Sequence, residues 1–418
     1  MSDLLRTLDA AELAAHRHDP VDAATLAAAA EILQDVRLRG EEAVRAHALR
    51  LGDLQPGDPL VLDRWELERA AEQVDADDLA LLERTAERIR RFAAAQMESW
   101  RDVSITVPGG EAGHTIMPVQ RAGCYAPGGR FPLPSSVLMT AVTARAAGVS
   151  EVWLASPRPA AITLAAAAVA GVDALLCVGG AQAISALAYS AGPVPACDAI
   201  VGPGNRWVTA AKQLVAGRVA IDMLAGPSEL LILTDHTADP DIVAADLLAQ
   251  AEHDPDALPL LVTTDATQIT RVNAALRTQL ETLPTAEIAR QSLRNGFAVV
   301  ARDIDHAIAI SDEIAPEHLE VITIDAAGVA GRCRSYGGVF IGAGSTEVLG
   351  DYGAGPNHTL PTGGTARSFA GLSVFTFLRA PTWLRMDASP DVELLADTAR
   401  LARLERLEAH ARAAERRA

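Results

Sequence analysis

The chain has little positive charge and no long apolar run. Its 36 basic residues are outnumbered by 54 acidic ones, for a formal net charge of −18. This balance disfavours nucleic acid or an anionic membrane as a partner, because both attract basic surfaces. The longest apolar stretch, residues 162–172, is mostly alanine and too short to cross a bilayer, so we expect no membrane span. The first 20 residues lack a basic segment followed by an apolar core, so we expect no signal peptide.

Cysteine is also scarce, and no two cysteines form a CxxC pair. The four are Cys124, Cys177, Cys197 and Cys333. This spacing disfavours a disulfide framework or a cysteine-based zinc site, and it is typical of small buried side chains in a reducing compartment. We therefore expect a cytoplasmic protein.

Lysine is nearly absent, since Lys212 stands alone beside 35 arginines. A compact ammonium and a planar guanidinium are not interchangeable in a confined space. Lys212 therefore either marks a place where arginine does not fit or is a single lysine by chance. We predict that Lys212→Arg impairs the binding of a cofactor or a substrate.

The length of 418 residues and a hydrophobic content of 49% predict at least two domains with large buried sheets. Residues 21–102 have the apolar spacing of helices. From about residue 119, and again from residue 230, apolar runs bounded by Gly and Pro alternate with helical stretches. This alternation is typical of parallel sheets covered on both faces. After residue 387 the chain is helical again, and its leucine stripe must be buried against something.

The predicted fold is therefore α/β, with two Rossmann-like doubly wound domains, one inserted in the other. A short N-terminal arm and a helical C-terminal arm complete it. The predicted limits are residues 1–24 for the N-terminal arm, 25–122 and 230–380 for the first, discontinuous domain, 123–229 for the second domain and 381–418 for the C-terminal arm.

Two pairs of polar residues lie next to predicted helix ends. Gln250 and His253 are three apart at the end of a helix that starts at Asp239, so they project from one face. They are either a ligand pair or an exposed helix end that places a histidine at the negative pole of the dipole. Glu317 and His318 lie on the connection into a strand. The histidine could accept an alcohol proton and the carboxylate could orient water, although a solvated loop is the alternative.

Two further pairs lie in the last 70 residues. Asp351 and His358 belong to a Gly- and Pro-rich segment that cannot be a helix or a central strand. A loop there could present them to a metal ion or a substrate, and a purely structural cluster of turns is the alternative. Glu405 and His410 lie five apart, which an unbroken helix would turn by about 140°. Either the helix breaks or the two residues have different roles, and a solvated helix face explains them equally well.

Glycine-rich turns follow three of the predicted strands. The segment Gly202-Pro-Gly-Asn-Arg-Trp207 has the first two glycines of a dinucleotide-binding fingerprint, but Trp207 stands where the third belongs, so it is not GxGxxG. Residues 179–182 and 225–229 form similar turns. The backbone amides of such turns can hold a pyrophosphate, or the turns can serve only to reverse the chain, and the local sequence leaves both possibilities open.

Taken in order, these segments resemble the histidinol dehydrogenases, zinc-dependent enzymes that use NAD in the last step of histidine biosynthesis. The resemblance covers nearly the whole chain. It is carried by 123-GCYAPGG, 178-VGGAQA, 202-GPGN, 225-AGPSE, 250-QAEH, 316-PEH, 351-DY, 357-NH and 405-ERLEAH. The family's sheets are Rossmann-like without the usual fingerprint, which agrees with Trp207.

The resemblance implies a role for each candidate residue. It implies a homodimer that binds L-histidinol, two NAD-linked oxidations by way of L-histidinal, and one Zn²⁺ per subunit in an active site shared through a swapped C-terminal arm. Gln250, His253, Asp351 and the other subunit's His410 match zinc ligands, which also contact the substrate. Glu317 and His318 match the acid–base pair, and His318 also touches the substrate. The remaining matches are Ser228, His358 and the other subunit's Glu405 for the substrate, and Tyr125, Gln182 and Asn205 for NAD.

The donor set implied by the resemblance is chemically coherent, because an amide, two imidazoles and a carboxylate suit Zn²⁺, with Mn²⁺ or Co²⁺ as alternatives. Three rival functions remain open at this point. A related zinc and NAD dehydrogenase could act on another small polyol or a sulfonated propanediol, although His358 and Glu405 suit an imidazole-bearing amine better. A two-lobed binding module would need no base such as His318, and a metal hydrolase would need no dinucleotide.

Overall fold

The computed structural model describes residues 4–9, 12, 21–128, 132–388 and 390–418, and most of the predicted N-terminal arm falls outside these ranges. Two six-stranded sheets form the two halves of the fold. The first sheet is parallel throughout, and its spatial order is β1 (Arg6–Leu8), β13 (Phe297–Val300), β12 (Leu258–Thr263), β11 (Glu229–Thr234), β14 (His318–Ile322) and β15 (Gly338–Ile341).

The second sheet has its two longest strands in the middle. Its order is β10 (Ala220–Ile221), β9 (Ala199–Val201), β6 (Arg121–Tyr125), β7 (Glu151–Ala155), β8 (Ala174–Leu176) and β2 (Val61–Asp63), and only β2 runs antiparallel. Two small antiparallel sheets join β5 (Met117–Pro118) to β16 (Leu378–Arg379), and β3 (Val103–Val107) and β4 (Gly110–His114) to β17 (Thr382–Met386). In both large sheets the strand order reverses direction next to a central strand, β11 or β6, which confirms the doubly wound α/β prediction.

The helices alternate with the strands along most of the chain. They are α1 (Ala23–Arg39), α2 (Glu41–Leu51), α3 (Arg64–Ala71), α4 (Ala76–Ser99), α5 (Pro134–Val137), α6 (Thr143–Ala146), α7 (Ala161–Val169), α8 (Gly180–Tyr189), α9 (Arg206–Val215), α10 (Pro240–Ala251), α11 (Ala266–Leu280), α12 (Ala286–Ser292), α13 (Ile304–Ile314), α14 (Ala326–Ala330), α15 (Glu347–Asp351), α16 (Val392–Leu404) and α17 (Glu408–Glu415). A π-helical segment links α5 to α6 (Leu138–Val142), and 3₁₀ turns span Thr365–Arg367 and Val374–Phe377.

The helices of residues 25–122 pack differently from our expectation. We grouped them with residues 230–380, but Leu33, Leu67 and Ile89 share one buried core with Ala122 and Leu154 of the second sheet. An amphipathic helix shows in its sequence that one face is buried, but not which of two apolar sheets buries it. The exact limits of the domains stay a prediction.

The apolar runs explain the strands. All six residues of β11 and all five of β14 are buried, as required for parallel strands covered on both faces. The four cysteines are free and buried, as expected of small apolar side chains. Among the described residues, no helix combines the length and apolarity needed to span a bilayer.

Candidate active site

A polar cleft lies where the two large sheets face each other. The first sheet contributes the amino ends of its central strands, with Ser228 just before β11 and His318 opening β14. The second sheet contributes the loops after β6 and β9, including Pro127 and Gly204. The cleft therefore combines one sheet's amino edge with the other sheet's carboxyl edge, where open α/β sheets bind their ligands.

Gln250 and His253 reach this cleft from the end of α10. The helix begins in the expected way, with Asp239 accepting a hydrogen bond from Asp241 and Pro240 in the first turn. Gln250 is buried, and its amide nitrogen has no hydrogen-bond partner within the described structure. His253 Nε2 lies 3.6 Å from Asp351 Oδ2. The helix end thus lies in a site and is not merely solvated.

Asp351 brings three histidines together. Its carboxylate oxygens lie 3.6 Å from His253 Nε2, 3.7 Å from His318 Nε2 and 4.0 Å from His358 Nδ1. Burial raises the pKa of Asp351 to about 7. The Gly- and Pro-rich stretch also differs from our expectation in one respect, because Asp351 ends the short helix α15 and only the residues after it form a loop.

His318 is held as a neutral base. Its Nδ1 lies 3.0 Å from the backbone oxygen of Glu229, which places the proton on Nδ1 and leaves Nε2 as an acceptor. Nε2 is buried and has no hydrogen-bond partner among the described residues. Burial lowers the pKa of His318 to about 4, so the ring is uncharged at neutral pH but is a weaker base than an exposed histidine.

Glu317 has the opposite shift. Burial raises its pKa well above the ordinary value, and the carboxyl groups of Glu229 and Asp351 add to the effect. Its Oε2 accepts a 2.8 Å hydrogen bond from the backbone N–H of Glu229, which fixes the carboxyl beside His318. A carboxylate with a raised pKa is a stronger base, so Glu317 is suited to accept a proton from water.

His358 is fixed in a similar way to His318. Its Nδ1 lies 2.9 Å from the backbone oxygen of Asp351, and burial lowers its pKa to about 4. Its ring and Ser228 both line the cleft. The structure therefore brings seven of the predicted residues into the lining of one cleft: Ser228, Gln250, His253, Glu317, His318, Asp351 and His358.

Buried carboxyl groups behind His318 were missed in the sequence. Glu347 is 1% exposed, its Oε2 is 3.7 Å from His318 Nδ1, and neither of its oxygens has a hydrogen-bond partner in the described residues. Glu320 accepts a 2.7 Å bond from the backbone of Glu347, and burial beside Asp246 raises its pKa to about 8. Acidic residues inside the apolar strands β11 and β14, such as Glu229 and Glu320, were the available signal.

The residues predicted to contact NAD lie at the carboxyl edge of the second sheet. The Tyr125 hydroxyl accepts a 3.1 Å hydrogen bond from the backbone N–H of Gly180, and burial raises its pKa to about 12. Gln182 lies beside them, and its Nε2 donates a 3.4 Å hydrogen bond to Oδ2 of Asp53. Asn205 caps α9 on the neighbouring loop, accepting bonds from two backbone amides.

Glu405 and His410 do not join the cleft of their own chain. The helix breaks between them, which is one of the two alternatives that their spacing allows. Arg406 has a φ of 62°, and α17 starts at Glu408. Both residues are exposed. In the described part of the chain, no three His, Cys, Asp or Glu side chains are placed to hold a metal ion by themselves. His253 and Asp351, together with the amide oxygen of Gln250, form an N/O donor set that fits a metal only when a further ligand is supplied.

A neutral buried histidine beside a basic carboxyl group, in a cleft between two doubly wound sheets, defines an α/β enzyme and not a passive binding module. The sequence profile of the histidinol dehydrogenase family matches residues 15–418, so the chain belongs to this family.

Relatives cover most of the chain. The histidinol dehydrogenase of Thermus thermophilus is 46% identical over 385 residues, which cover 91% of this chain and 92% of that protein. That of Cereibacter sphaeroides is 44% identical over 393 residues, covering 92% and 90%. The crystal structure of histidinol dehydrogenase from Elizabethkingia anophelis superposes with a TM-score of 0.92 at 31% identity, covering 100% of this chain and 98% of that one. The resemblance seen in the sequence is confirmed.

Proposed function

We propose that the protein oxidises L-histidinol to L-histidine by way of L-histidinal, reducing two molecules of NAD, as the last step of histidine biosynthesis. The family assigns an NAD-dependent oxidoreductase. The observation that carries the proposal is the unpaired Nε2 of a neutral His318, next to Glu317 and facing the cleft that Asp351 shares with His253 and His358. The match to the family disfavours a sulfonated propanediol as the substrate.

In the first oxidation His318 takes the hydroxyl proton of the substrate at Nε2. The backbone oxygen of Glu229 holds the Nδ1 proton in place, so the accepting nitrogen always points to the cleft. Glu317 then takes a proton from the water that adds to the aldehyde, while protonated His318 returns its proton to the carbonyl oxygen. In the second oxidation the neutral ring of His318 takes a hydroxyl proton from the hydrate as the second hydride leaves to NAD. Ser228 and His358 contact the substrate from the cleft wall.

The metal proposed for this site is Zn²⁺, one ion per subunit. The ligands would be Gln250, His253 and Asp351 of one chain and His410 of a second copy. Their places in the lining of one cleft and the 3.6 Å between His253 Nε2 and Asp351 Oδ2 support the first three. When bound, the ion would act as a template for the nitrogens of the amino alcohol.

The dinucleotide would bind at the carboxyl edge of the second sheet, against Tyr125, Gln182 and Asn205, and would accept the hydride. The loop after β9 supports this location, because Gly204 lines the cleft one residue before Asn205.

A homodimer with swapped C-terminal arms would complete the active site. Helices α16 and α17 bury mainly alanines against each other, whereas Leu401 and Leu404 remain 60% and 66% exposed. This apolar stripe needs a cover, and another subunit would supply it while receiving Glu405 as a substrate contact and His410 as a ligand. We also infer a cytoplasmic location from the four buried free thiols.

The test is the appearance of NADH absorbance when the protein is mixed with L-histidinol and NAD, repeated after chelation and again after zinc is returned. We expect activity that chelation removes and zinc restores. A sulfonated propanediol in place of histidinol is the matched control. Activity on the sulfonated propanediol alone would contradict the proposed substrate. Full activity of protein verified to be metal-free after chelation would contradict the proposed metal.

A further inference from the structure

The sole lysine of the chain lies in the interior. Lys212 is on α9, is 2% exposed and is among the largest fully buried side chains of the described residues. Its Nζ forms an ion pair with Asp222, whose side chain is fully buried just after β10. Removing two charges from water costs free energy, and the attraction between them offsets this cost only when both groups also form hydrogen bonds. The hydrogen-bond partners of the pair therefore indicate which part of the structure it stabilises.

Both charges are bonded to one glycine. Lys212 Nζ donates to the backbone oxygen of Gly202 over 3.0 Å, and Asp222 Oδ2 accepts the backbone N–H of Gly202 over 2.7 Å. The other oxygen of Asp222 also accepts the N–H of Met223 over 2.8 Å. The ion pair and the two backbone groups therefore form a closed ring of bonds, which fixes the peptide planes on both sides of Gly202.

Gly202 needs such support. Its φ is +117°, a region that favours glycine, and a Cβ there would lie 2.1 Å from the backbone oxygen of Tyr125. The chain goes directly from this glycine through Pro203 and Gly204, which line the cleft, to the helix cap at Asn205. The position of this loop in the cleft therefore depends on the conformation at Gly202.

We infer that Lys212 and Asp222 are positioning residues for the NAD-binding loop, holding residues 202–205 against Tyr125 so that the dinucleotide meets a preformed surface. The inference rests on the proposed function, since that loop is part of the proposed NAD site. Neither residue touches the cofactor, and their effect is exerted through the backbone of Gly202. The guanidinium of an arginine is larger and planar, so it would displace the loop or Asp222, which explains the single lysine among 35 arginines.

The experiment measures NADH binding by fluorescence titration, L-histidinol binding by calorimetry and thermal stability, without turnover. For Lys212→Arg we expect the Kd for NADH to rise by about ten-fold or more, because small displacements of a binding loop are costly. We expect the Kd for histidinol to be unchanged. Gln213→Arg, which puts an arginine on the exposed neighbouring position of α9, is the matched control and should change neither Kd.

The double variant Lys212→Met with Asp222→Asn separates positioning from folding. It removes both charges but keeps an acceptor for Gly202 N–H, so we expect thermal stability near that of the unaltered protein and a weakened affinity for NADH. The inference would be overturned if the double variant had both the stability and the NADH affinity of the unaltered protein. It would also be overturned if Lys212→Arg lost affinity for NADH and histidinol to the same extent. If the unaltered protein bound no NADH at all, the proposed function itself would fail, and with it this inference.

Discussion

The two walls of the cleft satisfy their polar groups in different ways. On the first sheet's side, Gln250 Nε2, His318 Nε2 and both oxygens of Glu347 are buried without a hydrogen-bond partner among the described residues. On the second sheet's side, the side chains of Tyr125, Gln182 and Asn205 each bond to a neighbour in the chain. Unpaired buried groups cost stability, so the first wall is built to be completed by other groups, whereas the three predicted NAD contacts on the second already have partners.

This contrast corresponds to the two tasks that we propose. The wall that handles protons and metal must leave polar groups free to react, and unpaired polar groups in a buried site cost stability until a ligand pairs with them. The wall that binds the dinucleotide needs only shape and backbone amides, which its own side chains can hold in place. The predictions below test this division from the largest expected effect to the smallest.

Removing the reactive group of the first wall should have the largest effect. We expect His318→Ala to lower turnover by about 10²- to 10⁴-fold, because the Nε2 of His318 is the proposed acceptor of the hydroxyl proton in both oxidations. Zinc content by atomic emission should be retained. His236→Ala, an exposed histidine just beyond β11, is the control and should leave turnover unchanged. Near-normal turnover of His318→Ala would remove its assigned role.

The incompleteness of the first wall can be tested by mixing subunits. His410→Ala and His318→Ala should each be inactive as pure dimers. The mixture should regain about a quarter of the normal activity, because about half of randomly paired dimers are mixed and about half of the sites in a mixed dimer are intact. The readout is NADH formation after subunit exchange, with mixed dimers verified by mass. No recovery in verified mixed dimers would show that the site does not take His410 from the other subunit.

A buried acid of the first wall should make stability depend on pH. Burial raises the pKa of Glu229 from 4.5 to about 7, so the folded chain binds this proton more tightly than the unfolded chain. The stabilisation that comes from this bound proton is fully present below pH 4.5 and is lost as the pH rises through about 7. Glu229→Gln keeps an acceptor for Gly363 N–H but cannot ionise. It should reduce the loss of the free energy of unfolding between low and neutral pH by up to about 3 kcal/mol.

The measurement for Glu229→Gln is urea unfolding of metal-free protein between pH 4.5 and 7.5. Glu281→Gln, at an exposed position after α11, is the control and should unfold with the same pH dependence as the unaltered protein. An identical slope for Glu229→Gln and the unaltered protein would show that Glu229 stays ionised in the fold.

The smallest effect is expected on the second wall. Tyr125→Phe leaves the N–H of Gly180 without its acceptor but keeps the packing. A lost neutral hydrogen bond of about 1 kcal/mol should weaken NADH affinity about five-fold and leave the KM for histidinol unchanged. Tyr189→Phe, at the far end of α8 from Gly180, is the control. A loss of histidinol affinity instead would place Tyr125 at the substrate.

Much of the site could be predicted from the sequence, because its parts lie in local patterns. The cap at Asp239, the strand that follows Glu317-His318 and the turn at Gly202 each depend on neighbouring residues. The weaknesses of the prediction lie where contacts are distant. The sequence pattern groups residues 25–122 with the first sheet, whereas their helices share a buried core with the second sheet.

The sequence by itself determined the parallel sheets, their order of appearance and the family, since apolar periodicity and ordered motifs are properties of the chain alone. Only the tertiary structure decided that Asp351 lies among three histidines, that Glu347 is buried behind His318 and that Lys212 holds Gly202. The physical reason is that burial and electrostatic coupling depend on distances between residues that are far apart in the chain, and those distances arise only when the two sheets pack together.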